Sequence, residues 1–85
     1  MASTREAKVE RAVLTSIGDI TGTPVDRIRL TDALVGDLKM DGDDFTFVFV
    51  PGIERALGVK TDPKAWSHVH TVQQAIDVFL SAPTA

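Results

Sequence analysis

Residues 37–45 read DLKMDGDDF, with Asp37, Asp41, Asp43 and Asp44 crowded around Gly42 ahead of a long apolar run. Carboxylates this close can hold a hard cation or work as an acid–base pair. A calcium loop places oxygen ligands at its first, third and fifth positions, glycine at the sixth and a bidentate glutamate at the twelfth. Counted from Asp37, Asp41 and Gly42 fill the fifth and sixth places, but Lys39 takes the third and Val48 the twelfth. An ammonium where a ligand oxygen is needed opposes the ion, which leaves at most weak cation association. Acid–base work needs two carboxyls whose pKa values are driven apart by burial. Asp43 and Asp44 are adjacent at an expected helix start, where exposure and capping keep both ionised, so capping is the preferred reading.

The other reactive side chains converge less. His68 and His70 stand two residues apart with no third ligand at a metal-binding spacing. Ser67 beside His68 is not a nucleophile on that ground, because such a pair must meet in space and be oriented by a third group. There is no cysteine, hence no thiolate metal site, cysteine nucleophile or disulfide. Neither common glycine-rich phosphate loop is present. The expectation is a protein that is not an enzyme and holds no metal.

Helices must position these groups. Ser3 or Thr4 can cap a first helix in which Val9, Val13, Ile17 and Ile20 recur at helical spacing, ended by Gly22 and Pro24. Residues 23–40 have no sustained period, but Val25, Ile28, Leu30, Leu34, Val35 and Leu38 are spread through them as anchors for a long loop. A short turn around 31–36, capped by Thr31 or Asp32, fits this stretch. The run FTFVFV is rich in residues that strands favour, yet it lacks polar alternation and continues helically through Ile53, Ala56 and Leu57 to Gly58. A second helix is therefore expected, started by the aspartates through capping and the helix dipole. Pro51 removes a backbone donor inside it, which predicts a kink or break there. Asp62 and Pro63 suit a short helix through Trp66, read as a lid over the long loop. Thr71 and Gln74 form a T-x-x-Q capping box before a last helix with Val72, Ala75, Ile76, Phe79 and Leu80 on its apolar side. SAPTA reads as a frayed tail.

The chain of 85 residues suits one all-α domain with an ordered core over about 4–81. At 44% hydrophobic and 25% charged residues it is too apolar for a disordered tail. The net charge is −3, and residues 37–54, with five carboxylates and Lys39, carry −4 of it. Nucleic acid calls for clustered Lys and Arg to displace counterions, and none is present. The opening MASTREAKVE is polar and no stretch approaches about 18 apolar residues. No membrane association and a cytoplasmic location are the expectations.

The helix order and the text G-D-L-K-M-D-G-D-D resemble the acyl carrier protein family, the phosphopantetheine-binding carrier domains, whose second helix begins at Asp-Ser-Leu after an E-D-L-G-like segment. The resemblance runs from about Val9 to Leu80, and HTVQQAIDVFL is very like the family's T-V-x-x-A-I-D-x-(I/F) ending. It implies a four-helix bundle with a long loop after the first helix, a kinked second helix and a short third helix. It puts the family's 4′-phosphopantetheine serine at Gly42, which has no hydroxyl, and the family's docking leucine at Asp43. One extra residue falls between Asp41 and Leu57, near Pro51, and a bulge or kink can absorb it. A bacterial group of small carrier-like proteins has a similar D-G-D-D stretch, which implies that Gly42 is natural.

On this resemblance the chain is a carrier-like module without the attachment serine and without a cofactor. It would act through protein contacts in or near a fatty-acid, polyketide or related acyl pathway, with acyl-pathway enzymes as partners and the chain itself a monomer. Asp41, Asp43, Asp44, Phe45 and Phe49 are the docking candidates, with a core role for most of the FTFVFV side chains as the competing reading. The alternative is a working 4′-phosphopantetheine carrier whose serine has been mutated or whose arm sits on another hydroxyl such as Thr46.

Overall fold

A computed structural model describes residues 4–84. It is mostly helical, and among the described residues there is no strand beyond two isolated bridges. The first helix, Thr4–Thr21, buries Val9, Val13 and Ile17 at successive spacings of four, with Ala12, Leu14 and Ile20 packed beside them. Thr4 is the first residue of the described helix, and Ser3, the other expected cap, lies outside the described residues. Gly22 ends the helix in the left-handed region at φ +77°, its N–H donating to Gly18 O at 2.8 Å.

The loop that follows is a turn-rich connection containing a single 3₁₀ turn, Val25–Arg27. Of its six expected anchors, Ile28, Leu34 and Leu38 are buried, whereas Val25, Leu30 and Val35 are exposed. Met40, which no spacing singled out, is buried and supplies the last anchor before the second helix. The turn over 34–38 sits slightly later than expected and is organised by a different carboxylate. Asp37 accepts from Ala33 N at 2.7 Å, while Asp32 reaches back to Arg29 N at 2.9 Å.

The second helix runs over 42–57 without interruption, as Gly42–Asp44 in α geometry, Phe45–Phe49 in π geometry and Val50–Leu57 in α geometry again. The irregularity expected at Pro51 therefore appears one turn upstream, as a widened turn in which Val50 N donates to Phe45 O, five residues back. In a regular α register the proline ring would collide with the carbonyl four residues before it. A π turn just ahead of the ring lets helical structure pass through Pro51 and takes up one residue. Gly58 closes the helix at φ +65°, where a Cβ would be strained.

The short third helix, Pro63–His68, is 3₁₀ and starts at Asp62, which accepts from Lys64 N at 2.9 Å. The last helix, Val72–Ser81, has the expected capping box and buries Val72, Ala75, Ile76 and Phe79. Leu30 and Asp32 carbonyls accept from Gln73 N at 2.9 Å and Val72 N at 3.0 Å, so the long loop and the last helix satisfy each other's backbone. The tail is held rather than frayed. Ala82 is buried, Lys60 N donates to Pro83 O at 3.1 Å, and Arg5 donates to the Leu80 and Ala82 carbonyls at 3.0 and 3.1 Å. Those last two bonds place a cation on the negative end of the last helix. Ala85 lies outside the described residues. One core, centred on Phe49, Phe79, Ile17 and Ile53, serves the whole chain.

Candidate functional site: the start of the second helix

Lys39 adopts φ +60°, a left-handed conformation for a residue with a Cβ, and turns the chain into the second helix. Asp41 is the cap: its backbone is extended, its Oδ1 accepts from Asp43 N at 2.9 Å, and its carbonyl accepts from Phe45 N at 2.9 Å. Gly42 is the first helical residue and is exposed. A Cβ built on it meets no heavy atom within 4 Å. Asp43 is exposed and Asp44 half-buried, so carboxylates ring the positive end of the helix dipole.

The aromatic side chains that follow divide between two faces. Phe45 is half-buried and stacks on Phe49 with ring centroids 5.5 Å apart and planes 22° from parallel. Phe49, a docking candidate on its sequence position, is 0% exposed and belongs to the core, so it cannot present a surface to a partner. An α-helix advances about 400° in four residues, and a strict spacing of four therefore drifts around its axis. The wider π turn offsets that drift and keeps Phe45 over Phe49, with Ile53 buried one step further on. It also leaves Thr46, Phe47 and Val48 outside, Phe47 at 74% and Val48 at 50% exposure. The FTFVFV run is thus split between core and surface. No polar alternation marks the split, which is why Phe47 and Val48 carried no separate sequence signal.

Trp66, read in the sequence as a lid over the long loop, is half-buried against the core. It joins an aromatic cluster, edge-on to Phe45 at 5.4 Å and to Phe79 at 5.0 Å. Its indole Nε1 donates to Thr61 Oγ1 at 2.8 Å, and the Thr61 hydroxyl and N–H both donate to Glu54 Oε2 at 2.7 Å. Buried Thr61 thereby ties the second helix to the short third helix. Between these elements lies a half-open, mainly apolar cleft of about 350 Å³, walled by Phe45, Thr46, Val50 and Pro51 on one side and by Lys60, Pro63 and Trp66 on the other.

The remaining sequence candidates do not join this site. His68 and His70 are exposed, the Ser67 hydroxyl donates to Lys64 O at 2.8 Å, and His70 uses its backbone N–H on Gln74 Oε1. Among the described residues no group of three or more His, Asp or Glu side chains is arranged to hold a metal ion. No helix among them is long and apolar enough to cross a membrane. What the arrangement offers chemically is a solvent-facing helix start with negative charge, an exposed aromatic side chain and an apolar cleft one turn away. No family model, curated protein or solved structure matches the chain.

Proposed function

We propose that this chain is an acyl-carrier-protein-like module without an attachment point for 4′-phosphopantetheine, which works by protein contact in or near a fatty-acid, polyketide or related acyl pathway. The observation that carries the reading is Gly42 as the exposed first residue of the second helix, directly after the capping Asp41. By the resemblance in the sequence this is where the carrier family has its modified serine. Two further features support it. The elements run helix, long loop, helix, short helix, helix. Lys39, which stands at the glycine of the family's E-D-L-G-like segment, has the positive φ that suits a glycine.

The residues do not fit the prosthetic arm, and the misfit is chemical rather than spatial. The arm needs a hydroxyl to form its phosphodiester, and Gly42 has none, although the surrounding space is open. The function is therefore assigned to the surface. Exposed Asp41 and Asp43 at a helix N-terminus suit a partner with basic side chains, and Phe47 offers it an apolar anchor. The adjacent cleft is at the small end of ligand-binding volumes and can take an apolar group from that partner.

The test is intact-mass measurement after incubation with coenzyme A and a permissive phosphopantetheinyl transferase. The wild-type chain is expected to keep its mass; a gain of one phosphopantetheine, on Thr46 or elsewhere, overturns the proposal and makes the chain a working carrier. Gly42→Ser is expected to fold as the wild type does, because its side chain enters open space. Modification of that variant would trace the loss to the missing hydroxyl. Continued silence would extend it to Asp43, which stands where the family has leucine.

A further inference from the structure

A second apolar surface lies on the other side of the second helix, in the groove between it and the first helix. Ala12, Val48, Gly52 and Ala56 line it, with Lys8 and Arg11 at one end of the first-helix wall and Asp19 at the other. Leu57 sits beside Lys8 and Val9, so the two helices run in opposite directions and Val48 belongs toward the Asp19 end. The groove therefore has two unlike ends. One combines positive charge with the small residues Gly52 and Ala56; the other combines negative charge with Val48 and its neighbour Phe47, the most exposed large apolar side chain among the described residues. Phe47 and Val48 have no partner surface within the monomer that would account for their apolar character.

We infer that this face binds a second copy of the chain, in a two-fold symmetric antiparallel pair. The argument is self-complementarity. In a two-fold interface the same patch meets itself with its ends exchanged. Arg11 and Asp19 are eight residues apart on the first helix, about 12 Å along its axis. An axis through Thr15, exposed and midway between them, sets Arg11 of each copy against Asp19 of the other. The same rotation brings the Phe47 and Val48 end of one copy onto the Gly52 and Ala56 end of the other, a bulky apolar group onto small residues. A heterologous helical partner would need only one end of this pattern; a copy of the chain uses both. The inference does not rest on the carrier-like reading, although a dimer would cover the Phe47 anchor which that reading offers to a partner, and it replaces the monomer expected from the sequence.

The experiment is sedimentation equilibrium of the full chain from micromolar to near-millimolar concentration. The wild type is expected to shift from a 9.2 kDa species to one of twice that mass; a protein that stays monomeric throughout overturns the inference. Phe47→Glu, an exposed change, is expected to weaken the dimer at least about tenfold. The decisive arm uses Arg11→Asp and Asp19→Arg. Each alone sets like charges against each other at both ends and is expected to be monomeric, while an equimolar mixture restores both opposite pairs and dimerises. Recovery on mixing cannot come from a variant that has failed to fold. A wild-type dimer whose two variants do not recover on mixing, or which neither variant disturbs, would overturn this face as its interface.

Discussion

At the start of the last helix every early N–H has a partner: Thr71 N on Gln74 Oε1 at 3.0 Å, Val72 N on Asp32 O at 3.0 Å, Gln73 N on Leu30 O at 2.9 Å and Gln74 N on Thr71 Oγ1 at 3.2 Å. At the start of the second helix Asp41 supplies one carboxylate oxygen and one carbonyl, and the three residues Asp41, Gly42 and Asp43 are exposed. The two termini have the same dipole and opposite uses. The first is closed by the protein's own loop and contributes to cohesion; the second is left open with negative side chains around it. The faces of the two helices follow suit. The last helix packs its large apolar residues Val72, Ile76 and Phe79 into the core and half-buries Val78 and Leu80, whereas the second helix divides them between core and solvent.

The largest effect that can break this contrast lies in the aromatic residues. Phe49 and Phe79 are both fully buried, with ring centroids 6.2 Å apart, so Phe49→Ala and Phe79→Ala should each cost about 3 to 5 kcal/mol in urea unfolding. Phe47→Ala, on the open face, should stay within about 0.5 kcal/mol when measured on the monomer at low concentration. A Phe47 cost comparable to that of Phe49 would mean that the outer face of the second helix is part of the folding core, and the contrast would be lost.

A smaller effect compares the caps themselves. Thr71→Ala removes a capping box and loosens the register in which Leu30 and Asp32 meet the last helix, a loss of about 1 to 2 kcal/mol. Asp41→Ala removes one hydrogen bond at an exposed terminus and should cost about 0.5 to 1 kcal/mol. Raising salt should widen the gap slightly, since the Thr71 cap is neutral while the dipole contribution of Asp41 is screened. Thermal unfolding of both variants at two ionic strengths checks the order, and a reversed order would make the open terminus the structurally critical one.

The closed region was also the one legible in the sequence. Thr71 and Gln74 form a capping box at fixed spacing, and Val72, Ala75, Ile76 and Phe79 follow on one face; local geometry alone is enough to read them. The long loop was half legible. Its apolar residues could be recognised as anchors, but which of them reach the core depends on turns set by Asp32 and Asp37, and so Met40 was missed while Val25, Leu30 and Val35 were over-counted. The tail looked frayed because Arg5, which holds it, lies at the other end of the sequence. In the second helix the aspartates gave away the start, and Pro51 gave away an irregularity. The position of the π turn, and with it the sorting of Phe45, Phe47 and Phe49, depends on how one helix relieves a proline while packing Trp66 and Phe79. No local pattern encodes that choice. The candidate site follows the same division: Asp41 and Gly42 could be placed from the sequence, and the exposed Phe47 could not.

Lys39 offers the smallest test and the only one expected to raise stability. It sits at the junction where the loop gives way to the open terminus, at φ +60°. A residue with a Cβ in that region costs roughly 1 to 2 kcal/mol, while glycine pays part of this back through greater freedom in the unfolded chain. Lys39→Gly should therefore stabilise the protein by about 0.5 to 1 kcal/mol, read as a higher urea midpoint with unchanged slope. Removing the charge also makes the segment before Asp41 more acidic, which opposes the gain slightly at low salt and fades as salt rises. If Lys39→Gly destabilised the fold, the lysine side chain would be contributing more than its backbone strain costs, and the turn into the second helix would belong with the closed, cohesive parts of the molecule rather than with the open terminus it introduces.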